Sequence, residues 1–495
     1  MAIRNTHMTT ISTTLPALAM VIFSAPGAMA AGAADVPDTS VVTFTKDIAP
    51  ILQRSCQSCH KPDSVAPMSL ITYDQVRPYS KAIAKRTHMG PVAGVMPPWY
   101  IETDVGIQNY QYDPSLSEAE LAKIDRWARS GATRGDPADM PPPLALDSNS
   151  DWAIGEPDLI NVLQSLTMKA DAPDWWGEIQ SVPTGLREDR YVAAVEVREI
   201  NDVLDAQGKP SGRTTVGGRF IFHHMIWSTA VLEDGAGAAA ADQAASNFLG
   251  TSWPVHEVGR NADVFDPDGA RLLEAGSSII SNSIHLHSNG RDTTARLEIG
   301  WKFHPKGYEP KYSEAVRSLG NAVDIDIRPN RANQELHAYM ILPEHTKITT
   351  FEPHLHAPGA RMCLEAIWGI HVETLTCAGY DHNWVRGYEY SNGFEPLLPK
   401  GTILHIIGFM DNTEANRNIP DPRNWQGSGN RSVANMFIDL GHGVALSDEQ
   451  FQEEMKKRRE VFNLTKNDHV IGCPLCNVIP MEELMKEAAT ATGGR

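Results

Sequence analysis

Two cysteines and a histidine form a compact motif at Cys56-Gln57-Ser58-Cys59-His60. In this C-x-x-C-H spacing the two thiols can bond covalently to haem, and the adjacent histidine can ligate the iron. A disulfide or half of a zinc site is the plain alternative, but no second C-x-x-C lies nearby to complete a zinc site. The motif therefore predicts one haem c held by Cys56, Cys59 and His60.

The segment Met96-Pro97-Pro98 offers a ligand for the other face of such a haem. A methionine thioether is the usual sixth ligand in electron-transfer cytochromes, and the prolines that follow would stiffen the loop that presents it. Met68, His88 and Met89 are rival ligands, and a methionine packed in the core is the plain alternative. We predict Met96 as the sixth ligand.

Three histidine clusters lie downstream of the haem motif. They are His223-His224-Met225, His285-Leu286-His287 and His354-Leu355-His356. Residues two apart on a strand share a face, so a His-x-His pair can bind one metal ion. Adjacent histidines point to opposite faces, and they can share a metal only where the strand ends, twists or bulges. A lone histidine on a strand is most often structural, whereas three clusters in one region predict metal sites.

The order and spacing of these clusters resemble the copper type II, ascorbate-dependent monooxygenases, which include peptidylglycine α-hydroxylating monooxygenase and dopamine β-monooxygenase. The resemblance covers about residues 155–445 and includes four further segments. These are Tyr380-Asp381-His382-Asn383-Trp384, Leu398-Pro399-Lys400-Gly401-Thr402, Asp411-Asn412-Thr413 and Ser432-Val433-Ala434-Asn435-Met436. The resemblance implies two copper ions. One would be bound by His223, His224 and His285, and the other by His354, His356 and Met436.

The implied ligand types suit redox chemistry. Imidazole binds Cu(I) and Cu(II), while a thioether favours Cu(I). The resemblance therefore implies that O2 binds at the copper of His354, His356 and Met436, which would be the catalytic residues, and that the other copper relays electrons. His287 shares a strand face with His285 and is the rival third ligand of the relay site.

A blue-copper site is the alternative copper chemistry. Cys377 and His382 have a suitable spacing, but Gly387 occupies the position where a methionine ligand is expected. We do not favour this alternative.

The sequence departs from the family where substrate is held. Peptide-hydroxylating members place an arginine two residues before the His-x-His pair, and here that position is Glu352. A tyrosine four residues after the ligand methionine is replaced by Leu440. A peptide C-terminus is therefore not the expected substrate. Glu352 could attract a cationic amine, but the interpretation we favour is a carboxylate exposed on a loop.

These observations lead to an expected function. The chain would be an exported, copper-dependent monooxygenase that hydroxylates a C–H bond of a small organic substrate with O2. Its own haem c would deliver the electrons, supplied by a periplasmic donor. A non-catalytic periplasmic protein that carries electrons with the same metals is the alternative. A haem sensor with a β-sandwich ligand-binding domain is a third reading.

Helical patterns surround the haem motif. Asp47 is a candidate N-cap with Pro50 in the first turn that follows. Ser117 and Glu120 form a capping box that opens a helix, and Gly131 should end it. Two helices that flank a haem predict a small all-α cytochrome c domain.

From residue 152 onward the pattern is that of β-strands. Short β-rich runs bounded by turn residues occur with no regular helices between them, which favours two mostly antiparallel β-sandwiches of jelly-roll type. The runs are Tyr191–Val197, Arg219–Phe222, Ala295–Ile299 and Thr402–Ile407. A final helix is predicted from Ser447 to Arg459.

The predicted organisation has five segments. They are a signal peptide (1–30), a cytochrome c domain (36–136), a Pro-rich linker (137–151) and two β-sandwiches (152–310 and 311–480). The signal peptide rests on Arg4, the apolar run Leu15–Phe23 and the cleavage site Ala28-Met29-Ala30. No later segment approaches the roughly 20 apolar residues needed to span a bilayer. These features predict a periplasmic protein that is not inserted in the membrane.

Charge and cysteine usage agree with this organisation. The net charge of −18 argues against nucleic acid as a partner. Four cysteines remain beyond the haem motif, and an oxidising compartment favours disulfides between them. Of the three possible pairings we favour Cys363–Cys377 with Cys473–Cys476. Asn477 follows Cys476 where a haem motif needs histidine.

Overall fold

A computed structural model describes most of the chain. The described residues are 41–62, 64–145, 152–203, 220–232, 250–259, 262–315, 319–321, 323–429 and 434–478. From residue 42 onward they belong to one compact unit. The predicted signal peptide, residues 146–151 of the predicted linker, and residues 432 and 433 of the last family-like segment lie outside the described residues.

The described residues contain helices near both ends of the chain. They are α1 (Ala49–Ser55), α2 (Tyr73–Val76), α3 (Ser80–Thr87), α4 (Glu118–Arg129) and α5 (Asp448–Phe462), with a π-helical turn at Phe44–Ile48 and 3-10 turns at Arg77–Tyr79 and Pro137–Asp139. The predicted capping box of α4 is confirmed, because the Ser117 hydroxyl accepts from the Glu120 N–H and the Glu120 carboxylate accepts from the Ser117 N–H. Gly131 follows with φ of 94°. The final helix also starts where predicted, with Ser447 as its N-cap.

The prediction that Asp47 caps α1 is wrong. Its carboxylate accepts the Thr43 N–H at 2.9 Å, at the start of the π-helical turn that precedes α1. The N-cap position of α1 is Ile48, and Pro50 lies in the first turn as expected. These helical segments share a core that includes Phe44, Leu52 and Trp127. The extent of a cytochrome c domain stays a prediction.

The described residues of the first β region form twelve strands. They are β1 (Leu159–Val162), β2 (Leu166–Met168), β3 (Trp175–Gly177), β4 (Val182–Pro183), β5 (Arg190–Asn201), β6 (Phe222–Val231), β7 (Thr251–Ser252), β8 (His256–Glu257), β9 (Ala262–Val264), β10 (Arg271–Leu273), β11 (Ser277–Leu286) and β12 (Thr293–Phe303). One sheet has the order β1-β12-β5-β10, with β2 and β9 attached. The other has the order β3-β11-β6-β7, with β4 and β8 attached. Apolar side chains of both sheets, such as Ile284 and Trp301, form one core.

Thirteen strands are formed by the part of the second β region that the structure describes. They are β13 (Ser313–Glu314), β14 (Leu319–Asn321), β15 (Arg331–Ile341), β16 (His345–Ile348), β17 (Thr350–Phe351), β18 (Pro353–Leu355), β19 (Gly359–Trp368), β20 (His371–Gly379), β21 (Tyr388–Glu389), β22 (Leu397–Leu398), β23 (Ile403–Asn412), β24 (Phe437–Asp439) and β25 (Gly443–Leu446). The sheets have the orders β15-β23-β19-β20, β14-β24-β18, β13-β25-β16-β22 and β17-β21. Leu355, Leu364 and Phe437 come from facing sheets and share a second core.

The predicted β character is confirmed as mostly antiparallel sheet. The runs within β5, β12 and β23 are strands as predicted. Residue 219 of the predicted run Arg219–Phe222 lies outside the described residues, and Phe220 and Ile221 precede the strand. Strand β6 begins at Phe222 and carries His223, His224 and Met225 within it.

One segment of the predicted cytochrome domain packs away from the helical core. Trp99 and Tyr100 are buried in the core of the second β region. The backbone N–H groups of Glu102 and Ile107 donate to carbonyls of β20 at 2.9 and 2.8 Å. A Cβ at Gly106 would clash with one of these carbonyls. The segment 95–110 is therefore fastened closely to the second β region.

Candidate metal centres

Seven histidine rings gather where the two β regions meet. They are His223, His224, His285, His287, His354, His356 and His382. The ring centroid of His224, on the first β region, lies 6.2 Å from that of His354 and 6.5 Å from that of His356, on the second. The three clusters found in the sequence are thus brought to one place.

His223, His224 and His285 form the first group. Each offers a ring nitrogen within 4.8 Å of the others, and all three side chains are buried. The pairing of β6 with β11 explains how adjacent histidines converge. His285 pairs with His224 and Leu286 pairs with Phe222, so His223 is an extra residue in the strand. This is the bulge that a shared metal requires.

Hydrogen bonds select the nitrogen that the first group presents. Nε2 of His223 donates to the carbonyl oxygen of His382 at 3.1 Å, and Nε2 of His285 contacts the Asp174 carboxylate at 2.9 Å. Since both partners accept hydrogen bonds, the Nδ1 atoms keep their lone pairs. Nδ1 of His223 lies 3.3 Å from Nδ1 of His224. Among the described residues nothing bonds to the buried Nδ1 of His285, as expected for a metal ligand.

The structure separates the two rival third ligands. His285 belongs to the group of converging nitrogens, whereas His287 does not. The His287 ring lies 5.1 Å from that of His223 and lines a cavity beside the group. The geometry favours His285.

His354 and His356 form the second group. His354 lies on β18, and His356 follows two residues later on the same face. β18 pairs with β24, where Leu355 lies opposite Phe437 and His354 opposite Ile438. His356 immediately follows β18, and Met436 immediately precedes β24. Met436 is 8% exposed.

The second group presents the other ring nitrogen. Nδ1 of His354 contacts the Glu257 carboxylate at 2.6 Å, and Nδ1 of His356 donates to the carbonyl of Ala434 at 3.2 Å. Their Nε2 atoms are left for a metal, and nothing in the described chain bonds to the buried Nε2 of His356. A carboxylate that orients a ligand histidine is a common feature of metal sites.

Sequence reasoning missed Asp174 and Glu257. Glu257 pairs with His224 across β8 and β6, so it lies beside the first group while it binds a histidine of the second. Asp174 immediately precedes β3, which pairs with β11 at His285. Only strand pairing brings these carboxylates to the histidines, and no local motif marks them.

Burial and neighbouring charge set the protonation of the rings. Burial, together with nearby histidines, lowers the pKa of His223, His224 and His356 well below the usual value. These imidazoles are neutral near pH 7, which is the form that binds metal. Burial also acts to lower the pKa of His354, but the Glu257 carboxylate outweighs it and the pKa is raised.

The interpretation of Glu352 as an exposed loop carboxylate is wrong. Glu352 is fully buried, at 0% exposure. Its N–H donates to the Asp439 carboxylate at 3.0 Å, and its carbonyl accepts the Leu440 N–H at 2.9 Å. The two positions that differ from the peptide-hydroxylating family members are thus hydrogen-bonded to each other.

The predicted haem motif lies at the end of α1. Cys56 and Cys59 are free thiols. Nδ1 of His60 donates to the carbonyl of Met68 at 3.0 Å, so Nε2 is the nitrogen available to a metal. Cys56 and His60 line a cavity of about 720 Å³, within the range of roughly 300–1,000 Å³ usual for cofactor sites. These residues fit a covalently bound haem.

Met96 and Met68 both line this cavity. The Met68 carbonyl is bonded to His60, which places Met68 on the side of that histidine. His88 and Met89 are not among the lining residues, and the His88 ring contacts the Ala84 carbonyl. Met96 stays the predicted sixth ligand.

The favoured disulfide pairing is confirmed. Cys363 and Cys377 are joined across β19 and β20, and Cys473 is joined to Cys476. The bond to Cys363 also removes Cys377 as a thiolate ligand, which excludes a blue-copper site with His382. Two disulfides are compatible with an oxidising compartment.

Two further findings bear on classification. No model of a known protein family matches the chain, and no curated protein matches it either. None of the described helices is long and apolar enough to cross a membrane.

Proposed function

We propose that the protein is an exported, copper-dependent monooxygenase of the copper type II, ascorbate-dependent kind, fused to a haem c module. Its substrate would be a small organic molecule, and the overall reaction converts R–H, O2, two electrons and two protons into R–OH and water. Copper at the two histidine groups would supply O2 reduction, and haem c would supply single electrons.

The observation that carries this proposal is the pair of neighbouring histidine groups that present opposite nitrogens. His224 of one group lies 6.5 Å from His356 of the other, measured between ring centroids. Two metals so placed can divide the work, because three imidazoles accept either copper oxidation state, whereas two imidazoles with the Met436 thioether favour Cu(I). A protein that only carried electrons would not need this asymmetry.

The chain's own residues have defined tasks in this proposal. Glu257 holds His354 with Nε2 directed to its metal, and Asp174 holds His285 with Nδ1 directed to the other. Burial of both groups excludes bulk water from the reacting centre, which strengthens electrostatic interactions there. His60, held by the Met68 carbonyl, would ligate haem iron.

The residues at positions 352 and 440 bear on the class of substrate. Neither provides the arginine or tyrosine with which family members grip a peptide carboxylate, and Glu352 is fully buried. A substrate without a peptide C-terminus is therefore proposed.

The test is substrate-dependent O2 consumption. Protein loaded with haem and copper is supplied with an electron donor and a panel of small amines, alcohols and aromatic compounds, while O2 uptake and hydroxylated product are measured. Uptake coupled to product supports the proposal. Loaded protein that exchanges electrons with redox partners but consumes no O2 with any compound would instead identify a non-catalytic electron carrier.

A further inference from the structure

Two cavities lie side by side between the haem motif and the first histidine group. The larger, of about 720 Å³, is lined by Cys56 and His60. The smaller, of about 270 Å³, is lined by His223 and His285. One cavity therefore reaches the predicted haem ligands, and the other reaches the predicted relay copper.

The two cavities share a wall. His287, Ser288 and Asn383 line both of them. These three residues therefore contact both cavities. The haem motif and the first histidine group are separated by 163 residues along the chain, counted from His60 to His223, yet their cavities share these lining residues.

Among the three shared residues, His287 alone carries a conjugated ring. Its centroid lies 5.1 Å from that of His223 and 6.4 Å from that of His285. Ser288 and Asn383 have short polar side chains, and the Ser288 hydroxyl donates to the Ala170 carbonyl at 2.6 Å. His287 is the group that contacts both the cavity of the haem motif and the first group through a delocalised π system.

We propose that the His287 ring is the bridge through which electrons pass from haem to the first histidine group. This inference rests on the proposed function. Each transfer moves one electron: ferrous haem is oxidised to ferric, and Cu(II) held by the first group is reduced to Cu(I). No bond is made or broken, and no proton is transferred. His287 is a positioning residue for this step.

His382 provides a matched comparison. Its ring lies even closer to His223, at 4.7 Å, and it lines the smaller cavity. It is not among the residues that line the larger one. If closeness to the first group were sufficient, the rings of His287 and His382 would carry electrons equally well. If contact with the larger cavity is also required, only the His287 ring can carry them.

The experiment measures haem oxidation directly. The full chain is loaded with haem and Cu(II), kept free of O2, and given one electron by a photochemical reductant. The return of the haem absorbance to its oxidised spectrum is then followed. The variants are His287→Leu, which removes the ring, His287→Phe, which keeps one, and the control His382→Leu. Copper content and the haem and copper potentials are measured for each.

We expect the wild-type haem to be reoxidised at a rate independent of protein concentration, and to stay reduced when copper is removed. His287→Leu should slow reoxidation several-fold at unchanged potentials, while His287→Phe and His382→Leu stay near the wild-type rate. If His287→Leu lowers copper content, His287→Met takes its place. A wild-type rate in the ringless variant, or equal slowing in Leu and Phe variants, would overturn the bridge.

Failure of the bridge and failure of the proposed function have different signatures. If the wild-type haem passes no electron to copper, the bridge is wrong, and hydroxylation supported by ascorbate can still establish the monooxygenase. If no compound is hydroxylated but the His287 variants behave as expected, the bridge is supported and the proposed monooxygenase function is not. The protein would then be an electron carrier.

Discussion

The two histidine groups use the same side chain in opposite ways. In the first, hydrogen bonds to Nε2 leave Nδ1 for the metal. In the second, hydrogen bonds to Nδ1 leave Nε2. The difference lies in the surrounding acceptors, a carbonyl or a carboxylate in each case, rather than in the histidines. The geometry of a metal site therefore depends on the ligand residues and also on the acceptor that holds the other ring nitrogen of each ligand histidine.

The groups also differ in charge and in their third member. The pKa values of His223 and His224 in the first group are lowered, whereas the pKa of His354 in the second is raised because the Glu257 carboxylate outweighs the effect of burial. Met436 is the predicted third member of the second group. A carboxylate makes its ligand histidine more basic, and a thioether softens the site. In the proposed function, oxygen chemistry therefore belongs to the second group and electron relay to the first.

Removal of a ligand should have the largest effect and should show that the groups are independent. His285→Ala and His356→Ala should each lose one of the two copper ions, because two ligands remain at the altered group and three at the other. Copper is counted by elemental analysis. The exposed His371→Ala on β20 is the control. Loss of both ions in either variant would mean that the groups form a single site.

Loss of the thioether should affect chemistry more than metal content. Met436→Ile keeps both imidazoles of the second group, so most of its copper should stay, while most of the hydroxylation rate should be lost because Cu(I) is no longer favoured. Copper content and product formation are measured on the same sample. Wild-type hydroxylation by this variant would remove Met436 from the ligand set.

Changes to the orienting carboxylates should have intermediate effects, each confined to one group. Glu257→Gln should weaken copper binding at the second group by roughly 10–100-fold, and Asp174→Asn should do the same at the first. Titration with a copper chelator resolves the two affinities. Each variant is the control for the other, and equal weakening of both affinities by one substitution would contradict the assignment.

Acidification should produce the smallest and most gradual difference. Protons compete with metal for the ligand nitrogens. The pKa of His354 is raised, so protonation begins there at higher pH than in the first group, whose His223 and His224 pKa values are lowered. As pH falls, copper should leave the second group first. Copper EPR spectra recorded across a pH series give the order, and the reverse order would contradict the prediction.

Local patterns predicted those features that depend on residues close in sequence. The capping box at Ser117 and the Cys473–Cys476 disulfide, whose cysteines are three residues apart, follow this rule. The haem prediction also rests on a local motif, and it stays a prediction. In each case the spacing of residue types carries the geometry with it.

Features that depend on strand pairing could not be predicted from the sequence. Glu257 is found only through its pairing with His224, and Glu352 only through its burial beside β24. The interpretation of Glu352 as an exposed loop carboxylate was wrong for this reason. Because register sets which residues meet across a sheet, a single sequence does not reveal these contacts.

The close packing of segment 95–110 against β20 also has a practical consequence for producing the protein in parts. A shortened gene product that begins at residue 152 would lack Trp99 and Tyr100, which fill the core of the second β region. The apolar surface that these side chains cover would then be exposed to water and would promote aggregation. The helical and β portions should therefore be produced as one polypeptide, and swapping in another electron-donating module would require this loop to be kept.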